Sequence, residues 1–353
     1  MAPLATKVQR AVAAVPFLFI TAWAWREMDL DRVVVMQQPY VDSGIIAWEG
    51  LDKVSILDHF HNVDFFDQIW RGTMATFSAS SFGYDKVAWW QVFSFLIDLG
   101  PVYAIWILES RRAGSAWTPV FIPTLFTFAA QLLGIGPVAP VFYFLSFAFG
   151  PTASDLARTS ARGRKIGHQE SGLLLPIILT FHTCEVFAMF LAPDLATRHY
   201  WTWAWQLTPV WIGVSNFLLS RLASPLLPKS GVLTSPKSVL VVLGLISAGT
   251  WAYTLSSAPF SLSTIFIPVA GTQTEYVAHV RKVFQTDHLG AFVSSFLWLT
   301  YSFLDLSVAG LLSTTSLFLN FALLPVVGAA AGPGAAFTLG WYLRERALSS
   351  AKN

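Results

Sequence analysis

The chain has 353 residues, of which 54% are hydrophobic and only 12% are charged, against about 25% charged residues in ordinary soluble domains. A soluble protein of this length needs more surface charge than that, so the composition indicates a membrane protein. The net charge of +2 is too small to indicate nucleic-acid binding, and the single cysteine, Cys184, excludes an internal disulfide and a cysteine metal cluster.

Apolar runs long enough to cross a bilayer recur along the chain. The first, residues 11–25, has the shape of a signal peptide, but more runs follow, so we interpret it as a span. We predict an all-α, polytopic transmembrane bundle of eight or nine spans that forms a single domain over residues 1–353. The later runs cover residues 88–110, 117–150 (two spans with a Gly-Ile-Gly-Pro break at 134–137), 172–192, 200–220, 238–256, 290–310 and 316–343.

Residues 26–87 are the one long polar region, and apolar side chains are scattered through it. We predict short amphipathic helices there, forming an extramembrane lid in which Arg71 pairs with an acid such as Asp67. Residues 272–287 are predicted to form a second, interfacial amphipathic segment. Basic residues at the N-terminus, at 111–112, at 158–165 and at 221–237 fall on the side opposite the lid, which the positive-inside rule makes cytosolic. With nine spans the basic tail after residue 343 lies on the other side, so either a late segment is re-entrant or the tail departs from the rule.

Three carboxyl groups fall inside predicted spans, where an ionisable group costs at least about 2.5–3.5 kcal/mol and is a functional candidate. Asp98, which a Gly-Pro pair directly follows, is the predicted proton donor or its direct partner. Glu185 is the second candidate, and His182, three residues earlier on the same helix face, either orients it or simply packs. Asp305 is the third, as a partner of the other acids or as a terminating base. The alternative interpretation is a polar network that joins helices.

Aromatic and amide side chains at similar depth are candidates for the wall of a substrate site. The aromatic rings would stabilise a cation through their quadrupoles, and the amides either bind substrate or join helices. The candidates are Trp89, Trp90, Tyr103, Trp106, Tyr143, Gln131 and Asn216.

A carboxyl group in a low-dielectric site favours its neutral form and can donate a proton. An acid, an aromatic pocket and a membrane fold together suit the protonation-initiated cyclisation of a polyprenyl chain. A proton-coupled transporter or binding protein uses similar carboxyls, so that alternative stays open, although the sequence shows no internal repeat. A non-catalytic scaffold would have little use for three carboxyls at this depth.

Metal sites have weaker support in the sequence. Asp64 and Asp67 have the i, i+3 spacing of a Mg²⁺-diphosphate motif but not the full acidic motif of a membrane prenyltransferase, and a solvated acidic face explains them better. His59 and His61, two residues apart, point away from each other on a helix. The sequence has no glycine-rich phosphate loop. We therefore expect no metal and no cofactor.

Four segments resemble a known family. They are residues 93–110 (FSFLIDLGPVYAIWILES), Trp117-Thr118-Pro119, residues 131–136 (QLLGIG) and Trp70-Arg71-Gly72. The chain resembles the fungal integral-membrane terpene cyclases of meroterpenoid pathways, the group of the ascofuranone and macrophorin cyclases. This resemblance implies a farnesylated substrate, protonation of a terminal epoxide or olefin, no metal, and the endoplasmic reticulum membrane of a filamentous fungus. It carries over no site residues.

Overall fold

A computed structural model describes residues 4–115, 118–164, 166, 172–222 and 235–350. Trp117 of the Trp117-Thr118-Pro119 segment and parts of the basic segments 158–165 and 221–237 lie outside the described residues. The N-terminal helices are α1 (Leu4–Ala13), α2 (Val15–Met28), α3 (Leu30–Ser43), α4 (Asp64–Ser81), α5 (Lys86–Ser110), α6 (Pro123–Leu133), α7 (Ile135–Phe149), α8 (Ala153–Arg158) and α9 (Ala161–Arg164). The later helices are α10 (Leu174–Ile178), α11 (Cys184–Leu191), α12 (Leu195–Trp205), α13 (Thr208–Leu222), α14 (Pro236–Ser257), α15 (Leu262–Phe266), α16 (Tyr276–Val308), α17 (Thr314–Ala331) and α18 (Pro333–Ser349).

Short elements complete the described part of the chain. Strands β1 (Ile45–Ile46) and β2 (Val54–Ser55) pair antiparallel. Two 3₁₀ turns cover Ala113–Ser115 and Pro119–Phe121. A π-helical turn, Leu179–Thr183, joins α10 to α11, so that Leu174–Leu191 forms one continuous helical stretch. The predicted all-α class is confirmed, with this small hairpin as the β structure of the described residues.

Helix α5 lies at the centre of the bundle and contacts α4, α14, α16 and α18. The Asp85 side chain caps its first turn by accepting the amides of Val87 and Ala88 at 3.1 and 3.2 Å. The helix is apolar on all sides, and the side chains of its most apolar stretch are all buried. A helix that is apolar all round is stable only inside a protein or a membrane, which is why this span becomes the core of the fold.

Within the described residues, six helical stretches are long and apolar enough to cross a membrane. They are Thr6–Ser43, Lys86–Ser110, Leu174–Leu191, Pro236–Ser257, Tyr276–Val308 and Thr314–Ala331. Three shorter apolar helices, Pro123–Leu133, Ile135–Phe149 and Thr208–Leu219, accompany them. The chain therefore has the composition and helix lengths of a membrane protein, and the expected eight or nine spans exceed the six long stretches.

Helix α16 corrects the prediction of an interfacial segment at residues 272–287 followed by a separate span at 290–310. The helix runs without a break from Tyr276 to Val308. Its polar N-terminal half is buried, including His279, Gln285, Asp287 and His288. These side chains face protein, not a membrane surface, so the hydropathy pattern alone gave the wrong boundary.

The last apolar stretch, predicted at residues 316–343, is two helices that meet at Gly332. Helix α18 carries Arg344 and Glu345 into a buried network with the end of α5. Arg112 donates to Glu109 and to Glu345, both at 2.7 Å, and Arg344 donates to Glu109 at 2.8 Å. The buried charges are thereby paired, as burial requires.

The region predicted as a lid contributes directly to the bundle. Helix α3 packs on α4 and α16, and α4 is buried over most of its length from Trp70 onwards. Arg71 pairs with an acid of this region as predicted, but the acid is Asp58, at 2.7 Å, and not Asp67. Asp67 instead accepts the backbone amides of His61 at 2.8 Å and Phe60 at 3.2 Å.

Candidate active site

A cavity of about 230 Å³ lies between helices α3, α4, α5, α6 and α16. We call it the Asp287 cavity, because Asp287 is the carboxyl group in its wall. Its other polar lining groups are Gln37, Thr73, Thr76, Tyr103 and Gln131, and the rest of the wall is apolar. A mostly apolar cavity with a few convergent polar groups is the usual form of a small-molecule site.

The backbone at the start of α7 holds the Asp287 side chain in place. The amide of Gly136 donates to Asp287 Oδ1 at 2.5 Å, and the amide of Ile135 also binds the carboxyl group. Gly134 has φ +83°, and a Cβ atom there would lie 2.6 Å from Asp287 Oδ1, so a side chain at this position is excluded by both conformation and space. The amides at a helix N-terminus need acceptors, and they stabilise a negative charge on a carboxyl group placed there.

Two predicted wall residues, Tyr103 and Gln131, line this cavity. Tyr103 is close enough to Asp287 for the two side chains to interact electrostatically. Gln131 Nε2 donates to Gln206 Oε1 at 3.0 Å, and Gln206 in turn donates to the Thr202 carbonyl at 3.0 Å. This chain of amides fixes the orientation of Gln131 at the cavity wall.

Aromatic rings form much of the apolar wall. Phe77, Phe95, Phe284 and Trp205 line the cavity. The ring of Phe77 lies 4.8 Å from that of Phe284 and 5.5 Å from that of Trp205, measured between centroids. Such rings can stabilise a cation that forms beside them.

Asp98, the first candidate from the sequence, is buried in α5 but does not line the Asp287 cavity. Ser247 Oγ donates to Asp98 Oδ1, and the backbone amide of Gly334 also binds the carboxyl group. Asp98 Oδ2 is buried without a hydrogen-bond partner in the described part of the chain. Asp98 thus binds the N-terminus of α18 much as Asp287 binds that of α7.

His182 and Glu185 share a helix but have different partners. His182 Nδ1 accepts from the Trp205 indole at 3.3 Å, so Nε2 carries the proton and donates to the Leu96 carbonyl at 2.8 Å. Glu185 Oε2 accepts from the Thr208 hydroxyl at 2.5 Å. Of the two interpretations of His182, these contacts favour packing: both ring nitrogens are bound, and neither binds Glu185.

Asp305 lies at the opposite end of α16 from the Asp287 cavity. Arg10 donates to both of its oxygens, at 3.1 and 2.9 Å. The guanidinium of Arg10 also lies 3.8 Å from the centroid of the Phe147 ring. Asp305 is therefore an ion-pair partner that joins α1 to α16.

The other predicted wall residues pack in the protein core. Trp106 stacks on Phe142 at 4.0 Å, and its indole donates to the Tyr143 hydroxyl at 3.0 Å. Trp89 and Trp90 contact each other at the start of α5, with ring centroids 4.8 Å apart. Asn216 is buried in α13. Trp89, Trp90, Trp106, Tyr143 and Asn216 do not line the Asp287 cavity.

Metal-binding geometry is not found in the described part of the chain, where no group of three or more His, Cys, Asp or Glu side chains could hold an ion. His59 Nδ1 approaches Asp67 Oδ2 to only 3.8 Å. Burial opposes ionisation of Asp67, but the amides of His61 and Phe60 outweigh it and lower the pKa of Asp67 below its ordinary value.

Four residues of the cavity wall were not predicted from the sequence: Asp287, Phe77, Trp205 and Phe284. Asp287 was assigned to the end of a surface segment, although no proline or helix-stop signal separates it from the following span. The usable signal was the Gly-Ile-Gly run at 134–136, because paired glycines mark a close backbone approach. That run is also part of the sequence that carries the family resemblance.

Comparisons with known proteins gave a family and three fungal relatives. The model of the CtvD domain matches residues 53–349. The relatives are each named an FAD-dependent monooxygenase: verC1 of Penicillium polonicum is 29% identical over 98% of this chain and 43% of its own length. The protein anuJ of Penicillium roqueforti (strain FM164) is 26% identical over 89% of this chain and 39% of its own length. The protein BOA8 of Botryotinia fuckeliana (strain B05.10) is 23% identical over 70% of this chain and 33% of its own length.

The chain thus spans less than half the length of each of these relatives. None of the three is named a terpene cyclase. No solved structure matches the chain.

Proposed function

The chain belongs to the CtvD domain family, and for this member we propose a membrane-bound, metal-independent cyclase that protonates a terminal epoxide or olefin of a farnesylated substrate. The observation that supports this proposal is the Asp287 cavity, which places one carboxyl group among aromatic and apolar walls. The proposed location is the endoplasmic reticulum membrane of a fungus.

The names of the relatives favour the epoxide over the olefin. A flavin-dependent monooxygenase inserts one oxygen atom into its substrate, and with an olefin the product is an epoxide. Each relative has more than half of its length outside the region that matches this chain. We infer that a monooxygenase reaction supplies the epoxide and that the present chain consumes it.

The name of the relatives also implies FAD for those proteins, and the residues described here do not fit it. Dinucleotide cofactors bind at a glycine-rich turn between a parallel strand and a helix. The described residues contain a single pair of two-residue antiparallel strands. No step of the proposed reaction therefore passes through FAD.

The proposed reaction is an isomerisation. The neutral Asp287 carboxyl group gives its proton to the epoxide oxygen, and the amides of Gly136 and Ile135 stabilise the resulting carboxylate. The carbon–oxygen bond breaks as the π electrons of a neighbouring olefin form a carbon–carbon bond. The new cation lies against the aromatic wall and loses a proton to the carboxylate, which restores the acid. Tyr103 and Gln131 orient the oxygen atoms of the substrate.

Asp98 stays a proposed second participant. Its Oδ2 atom is buried without a partner in the described residues, and Phe95 and Leu99, on either side of it in the sequence, line the Asp287 cavity. We expect Asp98→Asn to lower turnover by changing the electrostatic field at the Asp287 cavity, whereas Asp287→Asn removes the acid that donates the proton.

The test uses membranes that contain the protein, a farnesyl-phenol terminal epoxide and its olefin parent, with excess EDTA. We expect mass spectrometry to detect an isomer of unchanged mass from the epoxide. Asp287→Asn should lower its rate by about 10²–10⁴-fold, the usual contribution of a general acid. Asn can still accept the Gly136 amide, so the fold is retained.

Asp85→Asn is the matched control. Asp85 is also a buried carboxyl group and does not line the Asp287 cavity, and Asn caps a helix as well as Asp does. Asn does not keep the ion pair of Asp85 with Arg281 at 2.7 Å, so this control measures the effect of losing a buried carboxylate away from the cavity. Full activity in Asp287→Asn would overturn the assignment. If the product disappears with EDTA and returns with Mg²⁺, the protein is a metal-dependent enzyme and the proposal of a metal-independent cyclase is wrong.

A further inference from the structure

A second cavity of about 680 Å³ lies on the other side of α16, between that helix, α14, α15 and α17. We call it the His288 cavity. Asp287 faces one cavity and His288, the next residue of the helix, faces the other. Its volume lies in the range of about 300–1,000 Å³ that is typical of ligand sites.

The His288 cavity has an aromatic wall with little polar surface. Trp251, Phe266, Phe292, Phe296 and Phe321 are its aromatic lining residues. Of the residues that the structure describes, no Lys, Arg, Asp or Glu lines it. A charged ligand group would therefore lose its hydration without gaining a partner, so the chemistry selects an uncharged ligand.

His288 supplies the main polar group of this cavity. Its ring is stacked on Phe95 at 4.7 Å and meets the edges of Phe292 at 5.2 Å and Phe266 at 5.5 Å. The residue is 5% exposed. Neither ring nitrogen has a hydrogen-bond partner among the described residues, and neither is a fully buried atom, so both have open space beside them. A ligand oxygen in the cavity would satisfy the imidazole.

The cavity opens to the outside of the bundle between exposed apolar side chains. Three of its lining residues are half-exposed and apolar: Leu262 (42%), Ile267 (54%) and Val293 (50%). They belong to, or directly follow, helices that pack against long apolar spans. A ligand therefore has access from the bilayer.

We propose that the His288 cavity binds an elongated, uncharged lipid alcohol or ketone, with its oxygen at the His288 ring and its hydrocarbon chain along the aromatic wall. The occupant is a membrane sterol or the prenylated substrate class of the neighbouring cavity, which share this chemistry. The site is distinct from the Asp287 cavity because the body of α16 separates them.

The test is photoaffinity labelling of the full chain in lipid nanodiscs with a C15 isoprenoid alcohol that carries a diazirine. We expect saturable labelling of the peptides that contain residues 288–300 and 321–328. Gly328 lines the cavity, and its added Cβ would meet only Ala336 at 3.8 Å, so Gly328→Leu fills the space without disturbing the backbone. This variant should lower saturable labelling at least tenfold.

Gly249→Leu is the matched control, because a Cβ at Gly249 meets nothing within 4 Å and the residue does not line the cavity. Its labelling should equal that of the wild type. His288→Phe keeps the aromatic packing and removes the hydrogen bond, which should weaken binding of the alcohol about 3- to 10-fold. It should leave competition by a C15 isoprenoid hydrocarbon unchanged.

Competition identifies the source of the ligand: displacement by ergosterol alone indicates a membrane sterol, and displacement by a farnesyl-phenol alone indicates the substrate class. Either result supports the site. Equal labelling of Gly328→Leu and the wild type, or non-saturable labelling spread over all lipid-facing helices, would overturn it. Because the readout is binding and not turnover, its failure is distinguishable from failure of the cyclase proposal.

Discussion

The contact between α7 and α16 makes a sharp prediction for Gly290→Ala. A Cβ atom at Gly290 would lie 2.8 Å from both Cα and O of Gly136, and ordinary contact begins at 3.4 Å. Both neighbouring atoms are backbone atoms, so no side chain can rotate away. The two helices must therefore move apart by the difference between 3.4 and 2.8 Å, about 0.6 Å, at a point directly beside Asp287.

This separation has two measurable consequences. Overpacking of this kind costs about 1–3 kcal/mol, and the better helix propensity of Ala offsets about 1 kcal/mol. We therefore expect a net loss of up to about 2 kcal/mol in the free energy of unfolding. The distance from Gly136 N to Asp287 Oδ1, now 2.5 Å, would lengthen to about 3.1 Å, the long end of the normal range. Since a misplacement of 1 Å can cost about 100-fold in rate, turnover should fall about tenfold.

The assay pairs unfolding in detergent, followed by tryptophan fluorescence, with the isomerisation of the farnesyl-phenol epoxide. Gly249→Ala is the control, since its Cβ is in open space within the helix α14. It should stabilise the protein by about 0.5–1 kcal/mol through helix propensity alone and leave turnover unchanged. A Gly290→Ala protein that is as stable and as active as the wild type would refute the reasoning.

Two further predictions concern the buried charges. Arg112→Met leaves Glu109 and Glu345 with one cation fewer and should destabilise the protein by about 3–5 kcal/mol, measured by thermal unfolding; an unchanged unfolding temperature would contradict it. Because the pKa of Asp67 is lowered in the folded protein, its ionisation contributes stability above about pH 4, the ordinary value, and this contribution is lost as the pH falls through the folded-state pKa. The difference in unfolding temperature between the wild type and Asp67→Asn should therefore be larger at pH 7 than at pH 3; a constant difference would argue against it.

The sequence predicted the helical class and several helix ends well where the helix is uniformly apolar. Residues 88–110 were predicted and the helix is Lys86–Ser110, and residues 238–256 were predicted and the helix is Pro236–Ser257. The break near Gly134 separates α6 from α7 as expected. In these segments composition and proline or glycine signals agree with the tertiary structure.

The prediction failed where polar residues are buried by other helices. The N-terminal half of α16 resembles a surface segment, yet its polar side chains are covered by α3, α5 and α7. No local pattern shows that coverage. The same limit applies to the site. Tyr103 and Gln131 were candidates and line the Asp287 cavity. Asp287 was not a candidate, because the predicted boundary between residues 287 and 290 placed it in a surface segment.

The network of Arg112, Glu109, Arg344 and Glu345 has a consequence for the order of biosynthesis. Arg112 and Glu345 are 233 positions apart. At about 5–20 residues per second, a ribosome needs about 12–47 s to make the intervening chain. During that interval Arg112 has Glu109 as a partner but lacks the charges of α18. The nascent protein therefore holds an incompletely paired charge cluster at the end of its central helix until α18 has been translated.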